Sequence, residues 1–213
     1  HLVVAAFLHP LDQLRQLHMG SVAVGVVFAL VLGHTSSELI GALATEVTKV
    51  LTQLRGESQL SGEELDKLQV ALVPTLTGVM ASSLQVTCLL CLMLARYWQA
   101  SLYNPGGFGR EFRSLRLAPA VAVILLLGAV VVPALEVQAA VLGPLCSVPL
   151  IIAGVALGHG LIALKRLAGG WLVGLYLAVL LLGNLICLLA VVDSLFDFRG
   201  RLARRQGSTN GEG

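Results

Sequence analysis

Four long runs in this chain contain no Asp, Glu, Lys or Arg, and they constrain its fold more than any other feature. They cover residues 68–95, 117–135, 137–164 and 167–192. A helix that crosses a bilayer needs about 20 mostly apolar residues, and hydrocarbon offers no partner for an unpaired backbone group. Because the strict alternation of a barrel strand is absent, each run predicts a transmembrane α-helix. A shorter apolar run at residues 19–33 predicts a further, marginal span.

The composition agrees with a membrane protein. Only 12% of the 213 residues are charged, whereas about a quarter of the residues in soluble domains are charged. The net charge of +2 is spread along the chain, which argues against a nucleic-acid-binding surface. We therefore predict an all-α polytopic transmembrane helical bundle with about five spans, formed by one membrane domain that covers residues 1–213.

The two ends of the chain carry different signals. The opening letters HLVVAAFL have no basic region and no cleavage site, so they do not resemble a signal peptide. We interpret them as the end of an earlier apolar segment, and the chain as the C-terminal part of a longer protein. Near the other end, Asp193, Asp197 and Arg201 lie four residues apart and predict an ion-pair ladder on the last helix. Residues 206–213 are predicted to be disordered.

Residues 35–69 are more polar than the apolar runs and predict an amphipathic segment at the membrane interface. Thr35 and Glu38 have the spacing of a helix-starting capping box, and Ser61 and Glu64 repeat it before the next run. Apolar residues recur between them at helical spacing, at Leu39, Ile40, Leu43, Val47, Val50, Leu51 and Leu54. Such a helix lies on the bilayer surface or covers the mouth of the bundle.

A polar elbow at residues 96–117 separates two of the predicted spans. Asn104 is followed by Pro105 and two glycines, which predicts a turn because proline disfavours a helical conformation in the residue before it. Aromatic side chains suited to the membrane interface stand where the preceding span ends, at Tyr97, Trp98 and Tyr103.

Three arginines of the elbow, Arg110, Arg113 and Arg116, recur at every third position and therefore share a helical face. Our first interpretation is that they contact the phosphates of anionic lipids. An anionic ligand, a docked partner protein and a catalytic loop are the alternatives. The neighbouring glycines match neither a dinucleotide-binding fingerprint nor a P-loop, so they do not predict a nucleotide site.

Four segments of the chain resemble the YybS-like family of multi-pass bacterial inner-membrane proteins. The segments read RYWQASLYNPGGFGREFRSLRL, PLCSVPL, HGLIALKRLA and VDSLFDFRGRLARRQ. The family is distantly similar to the substrate-binding S components of energy-coupling-factor transporters. The resemblance implies a multi-pass protein of the bacterial inner membrane, and it assigns no role to any numbered residue.

Polar side chains inside the predicted spans are few, and three of them are candidate substrate-binding residues. Gln85 and Asn184 either line a cavity or hold helices together, and we predict that both face the bundle interior. His159 either donates to a backbone carbonyl or serves as a ligand or proton relay. Cys88 and Cys91 share a helical face, but we interpret them as packing residues because no His or carboxylate lies near them.

The function that these features predict is a small-molecule binding or transport subunit that resembles an S component. Such a subunit requires an energising protein partner, because this sequence contains no nucleotide-binding motif. The alternative is a membrane scaffold without a ligand. No nucleophile and base, carboxylate pair or metal-ligand set is evident, so we predict neither an enzyme nor a cofactor or metal site. The basic residues divide equally between the two sides of the bundle, and the late arginine cluster favours a cytoplasmic C-terminus.

Overall fold

The structure, a computed structural model, describes residues 10–55 and 62–209. Within these ranges the chain is predominantly helical and contains no β-strand, which confirms the predicted all-α class. The helices are α1 (Pro10–Thr35), α2 (Ser37–Arg55), α3 (Gly62–Tyr103), α4 (Gly107–Ser114), α5 (Pro119–Leu126), α6 (Val132–Leu135), α7 (Leu142–Leu164), α8 (Gly170–Leu181), α9 (Gly183–Phe196) and α10 (Phe198–Thr209). A π-helix (Leu127–Val131) precedes α6 and a 3₁₀-helix (Val137–Val141) precedes α7.

Two helical segments in the described part of the chain are each long and apolar enough to cross a membrane by themselves. They are Gly62–Tyr103 and Val137–Leu164. Three further pairs of helical segments meet the criterion of length and composition when each pair is joined across a bend, and the bends measure 88°, 66° and 108°. The count is therefore two spans, or up to five if each bent pair is one span. These apolar helices suit a membrane-embedded protein.

The described residues form two compact units, and α1, α3 and α7 contribute to both. Unit 1 comprises residues 10–20, 89–126 and 149–209, and unit 2 comprises 21–55, 62–88 and 127–148. In unit 1, Leu115 packs with Ala156, and Phe112 and Ile152 pack against them. In unit 2, the core is formed by Ala29, Ala81 and Leu145, with Phe28, Leu32 and Val141 against them.

Gly78 permits a close helix contact in the core of unit 2. A Cβ atom at Gly78 would lie 2.6 Å from the carbonyl oxygen of Val141, and backbone cannot move aside as a flexible side chain does. We therefore expect Gly78→Ala to lower the free energy of unfolding by about 1–3 kcal/mol. Gly174→Ala is the matched control, because nothing lies within 4 Å of the added atom. Thermal unfolding in mild detergent measures both, and equal melting temperatures for the two variants would contradict the contact.

The last apolar run is not one helix. We predicted a continuous span over residues 167–192, but Leu182 leaves the helical conformation (φ −128°, ψ 36°) and α8 meets α9 at 108°. Gly183 follows the break directly, and glycine is the weakest helix former after proline. The ion-pair ladder predicted for this region is also wrong, because Asp197 adopts a left-handed conformation (φ 51°) that ends α9.

The predicted helix start at Thr35 is wrong as well. The Thr35 hydroxyl donates to the Val31 carbonyl at 2.8 Å, so Thr35 belongs to the end of α1. Helix α2 begins two residues later, at Ser37, and buries Ile40 and Ala44. Ser61, the second predicted start, lies outside the described residues, as do residues 1–8 and 210–213. Residues 206–209 of the predicted disordered tail belong to α10.

Candidate functional site

The elbow between α3 and α4 has the predicted turn. The Gly107 N–H donates to the Asn104 carbonyl at 2.8 Å. Gly106 between them has φ 79°, a left-handed conformation that glycine adopts without the Cβ clash that penalises other residues. The turn directs α4 away from α3, and α4 carries Arg110 and Arg113.

A buried ion pair connects α3 to α4. Arg96 donates from Nε to Glu111 Oε2 at 3.0 Å and from Nη2 to Oε1 at 2.7 Å. The two side chains are only 14% and 7% exposed. Two parallel bonds between a guanidinium and a carboxylate fix both position and orientation, so this pair sets the direction of α4. Sequence reasoning missed it, although Glu111 is the one acidic residue of the elbow.

A second buried ion pair connects the end of α4 to the C-terminal part of unit 1. Arg199 donates to Asp193 Oδ2 from Nε at 3.0 Å and from Nη2 at 2.8 Å, and Asp193 is almost completely buried. The same guanidinium donates to the Arg113 carbonyl at 2.6 Å and to the Leu115 carbonyl at 2.8 Å. Arg199 therefore satisfies carbonyl groups that the end of α4 leaves without helical partners.

A third ion pair joins Arg116 to Asp197. The Arg116 Nη1 atom donates to Asp197 Oδ1, and Asp197 is 39% exposed. Oδ1 also accepts from the Gly200 backbone N–H at 3.2 Å, while Arg204 approaches the other carboxylate oxygen to 3.7 Å. Asp197 thus pairs across the fold with Arg116 rather than along its own helix with Arg201.

These groups line an open cavity of about 600 Å³, which we call the arginine cavity. Its lining residues are Arg110, Arg113, Ser114, Arg116, Gly160, Ala163, Leu164, Asp197, Arg199 and Gly200. All belong to unit 1. The lining contains four guanidinium groups and a single carboxylate, with Asp193 behind it as the partner of Arg199. Positive charge therefore exceeds negative charge in this lining, and the cavity suits an anion.

The structure brings together the three arginines that the sequence singled out. Arg110 donates to the Asn104 side chain at 3.2 Å, and Arg113 donates from Nε to the Gly109 carbonyl at 2.7 Å. Both are exposed, and neither forms an ion pair with a carboxylate in the described part of the chain. Their remaining N–H groups can donate to an incoming anion without first breaking an ion pair.

Gly160 allows the cavity to form. A Cβ atom there would lie 2.9 Å from the Arg113 carbonyl oxygen and 3.1 Å from Arg199 Cδ. Any larger side chain at this position of α7 would separate it from α4 and from Arg199. The close contact of α7 with α4 and with Arg199 therefore depends on glycine at position 160.

His159 is bonded to a side chain rather than to a backbone carbonyl. Its Nε2 atom lies 3.1 Å from the Tyr176 hydroxyl. The ring also contacts Phe112 edge to face, with the centroids 5.5 Å apart. The sequence predicted for His159 either a bond to a backbone carbonyl or a role as ligand or proton relay, and neither names Tyr176. The role as ligand or proton relay stays a prediction.

The two amide side chains predicted to bind substrate lie in different units and in different environments. Gln85 in unit 2 is fully buried. Its Nε2 donates to Ser21 Oγ in a long hydrogen bond of 3.5 Å. Its Oε1 has no hydrogen-bond partner among the described residues. The prediction that Asn184 faces the interior is wrong. Asn184 is exposed, because α9 begins at the bend immediately before it instead of continuing α8.

Gln85 and Asn184 do not line the arginine cavity, and they line neither of two further cavities of similar size. One of these, described below, belongs to unit 1, and the other is an apolar cavity of about 570 Å³ in unit 2. A binding role for either amide stays a prediction. Cys88 and Cys91 are free thiols, and no group of three potential metal ligands occurs within residues 10–55 and 62–209.

Comparison of the chain with protein-family models, with curated proteins and with solved structures gives no match. The resemblance to the YybS-like family therefore stays a prediction.

Proposed function

We propose that this chain is an integral membrane protein that binds an anionic group in the arginine cavity. One observation supports this function above the others. Four guanidinium groups from α4, the segment after it and α10 converge on one cavity, and two of them have no carboxylate partner among the described residues. Like charges held this close repel each other, and a bound anion relieves that repulsion.

This activity fits a binding or transport subunit without enzymatic activity. The resemblance to S components supports a bacterial inner-membrane location and a protein partner that supplies energy. The bound anion takes the place of the ligand that we first assigned to Gln85 and Asn184. The arginines provide only positive charge and hydrogen-bond donors. The site therefore selects its ligand by negative charge and not by a reaction with it.

A membrane scaffold is the alternative function, and the position of Asn184 favours it. An exposed amide on an apolar helix can form a hydrogen bond with a helix of another protein. The neighbouring Leu180 and Leu181 are 80% and 75% exposed and would surround that contact. Asn184→Leu should abolish partner association if this scaffold function is correct and leave anion binding unchanged.

A charge change at Asp197 tests the proposed function. Asp197 is the internal counterion of Arg116, so an incoming anion must compete with it. In Asp197→Asn the competing charge is lost, while the side-chain oxygen still accepts from Gly200 and asparagine tolerates the left-handed backbone. We expect inorganic phosphate to bind about fivefold more tightly, which corresponds to about 1 kcal/mol.

The measurement is the phosphate-dependent rise in melting temperature of the purified protein in mild detergent. Asp66→Asn is the control, since it removes the same charge from an exposed position in unit 2. Phosphate should stabilise the control and the wild type equally. A wild-type protein that phosphate does not stabilise, or an Asp197→Asn variant that binds phosphate no better, would overturn the proposed function.

A further inference from the structure

A second cavity in unit 1, of about 590 Å³, shares Arg113 and Ala163 with the arginine cavity. We call it the aromatic cavity. Most of its lining is apolar or aromatic and includes Met93, Phe108, Phe112, Ile162, Leu172 and Tyr176. Its basic members are Arg113, Arg166 and His159. A basic space thus lies next to an apolar one, and each has the volume of an ordinary small-molecule site.

Four rings from three helices form a continuous row beside the aromatic cavity. Phe108 stacks with Phe112 at a centroid distance of 6.1 Å, and Phe112 meets His159 at 5.5 Å. His159 meets Tyr176 at 5.8 Å, and the polar atoms of these two rings bond to each other. The row therefore presents aromatic carbon atoms to a ligand in the cavity, and this surface suits an apolar group.

Arg166 lies in the lining of the aromatic cavity with a backbone conformation that is uncommon for arginine. Arg166 has φ 51°, in the left-handed region that glycine adopts with the least strain. It occupies the turn after α7, where its N–H bonds the Ala163 carbonyl at 3.2 Å and the Leu167 N–H bonds the Ile162 carbonyl at 3.0 Å. Glycine is the usual residue at this point of a helix end. The chain instead places a strained arginine there, in the lining of the aromatic cavity.

Three exposed aromatic side chains stand close in sequence to residues of the two linings, although they do not line the cavities themselves. Trp98, Tyr103 and Trp171, all in unit 1, are between 61% and 80% exposed. Tryptophan and tyrosine collect at the membrane–water interface, which is also where phospholipid headgroups lie. The apolar segment Val137–Leu164 ends beside both cavities. A molecule whose charge lies at the interface and whose apolar part lies in the membrane would fit this arrangement.

We propose that the two cavities together bind one anionic phospholipid. Its phosphate lies among Arg110, Arg113 and Arg116, and an acyl chain follows the aromatic cavity past Leu172. Arg166 adds a fourth positive charge on the aromatic side. The proposal rests on the proposed function, because it names the ligand class of the same anion site.

The test compares three probes with the purified protein in mild detergent: short-chain phosphatidylglycerol, glycerol phosphate and short-chain phosphatidylcholine. Titrations followed by native mass spectrometry report an apparent dissociation constant for each. We expect phosphatidylglycerol to bind at least tenfold more tightly than either of the other two, because only this lipid satisfies both cavities. Glycerol phosphate lacks the chain, and phosphatidylcholine carries no net negative charge.

Two variants separate the contributions of the aromatic cavity and of Arg166 to phosphatidylglycerol binding. Leu172→Gln places an amide in the aromatic cavity and should weaken phosphatidylglycerol binding about tenfold without changing glycerol phosphate binding. Leu177→Gln on the same helix is the control, since Leu177 is exposed and does not line the cavity. Arg166→Gly should weaken phosphatidylglycerol binding about fivefold while leaving the melting temperature unchanged or higher, because glycine relieves the strained backbone.

Three other results would each contradict the phospholipid inference, and one of them would also contradict the proposed function. If glycerol phosphate binds as tightly as phosphatidylglycerol and Leu172→Gln changes nothing, the phospholipid inference fails and the anion site remains. If phosphatidylcholine binds as tightly as phosphatidylglycerol, charge is not recognised and the inference fails. If neither anion binds the wild-type protein, the inference fails together with the proposed function.

Discussion

Replacing Arg199 with leucine is expected to destabilise the protein by about 3–5 kcal/mol, the usual cost of breaking a buried ion pair from one side. Asp193 would keep its charge in a site where it is 1% exposed. The carbonyl groups of Arg113 and Leu115 would lose their donors at the same time. For a chain of this size the loss lowers the melting temperature by roughly 10 °C, measured by thermal unfolding in mild detergent.

Two controls distinguish the buried pair from an ordinary surface pair. Lys67→Gln breaks an exposed ion pair with Glu63, and such pairs contribute about 0–1 kcal/mol. Adding Asp193→Asn to Arg199→Leu removes the unpaired charge and should recover part of the lost stability. A melting temperature in Arg199→Leu that matches Lys67→Gln, or a double variant less stable than the single one, would contradict the role of the buried pair.

The apolar helices of this fold could be predicted from the sequence, but their bends could not. Runs without charge predict helices because hydrocarbon leaves the backbone no other partner. The position of a bend depends on how the helices before and after it pack, and a single glycine does not determine it. Gly183 follows a 108° break, whereas Gly174 lies inside a continuous helix, although both stand in the same apolar run. The error at Asn184 follows from this, since we expected an interior position because a polar group deep inside an unbroken span needs a partner.

Only some residues of the candidate site could be predicted from the sequence. Arg110 and Arg113 share a face of α4 because they are three residues apart, which local spacing determines. Arg116 was predicted to share that face, but it lies beyond Ser114, where α4 ends, so its place in the site depends on tertiary packing. The partners of these arginines, Asp197 and Arg199, come from more than 80 residues later, and no spacing rule connects them. Local patterns therefore predicted the positive charge of the site, whereas tertiary packing supplied its cavity and its internal counterion.

Removing the three elbow arginines is expected to cause the largest loss of binding. Each basic residue near an anionic headgroup contributes about 1 kcal/mol, so the triple change of Arg110, Arg113 and Arg116 to Gln should weaken anionic lipid binding on the order of 100-fold. The fold should persist, because Asp197 is exposed enough to be hydrated when Arg116 is lost. Titration with phosphatidylglycerol measures the change, and melting temperature checks the fold.

The matched control removes three positive charges from residues that do not line the cavity. It combines Lys49→Gln, Lys67→Gln and Arg201→Gln, all at exposed positions that do not line the arginine cavity. Its net charge equals that of the triple arginine variant, so a general electrostatic effect would weaken both proteins equally. We expect the control to bind within about threefold of the wild type, because none of the three replaced side chains lines the arginine cavity and salt screens exposed charges.

Native mass spectrometry of the protein extracted from membranes in mild detergent tests the central claim most directly. The mass of each adduct that survives extraction identifies the bound molecule and its charge class. The wild type and the matched control are predicted to retain an anionic lipid that the triple arginine variant lacks. Equal anionic adducts on all three proteins, or a wild type that carries only neutral lipid even after titration with phosphatidylglycerol, would contradict the arginine cavity as an anion-binding site.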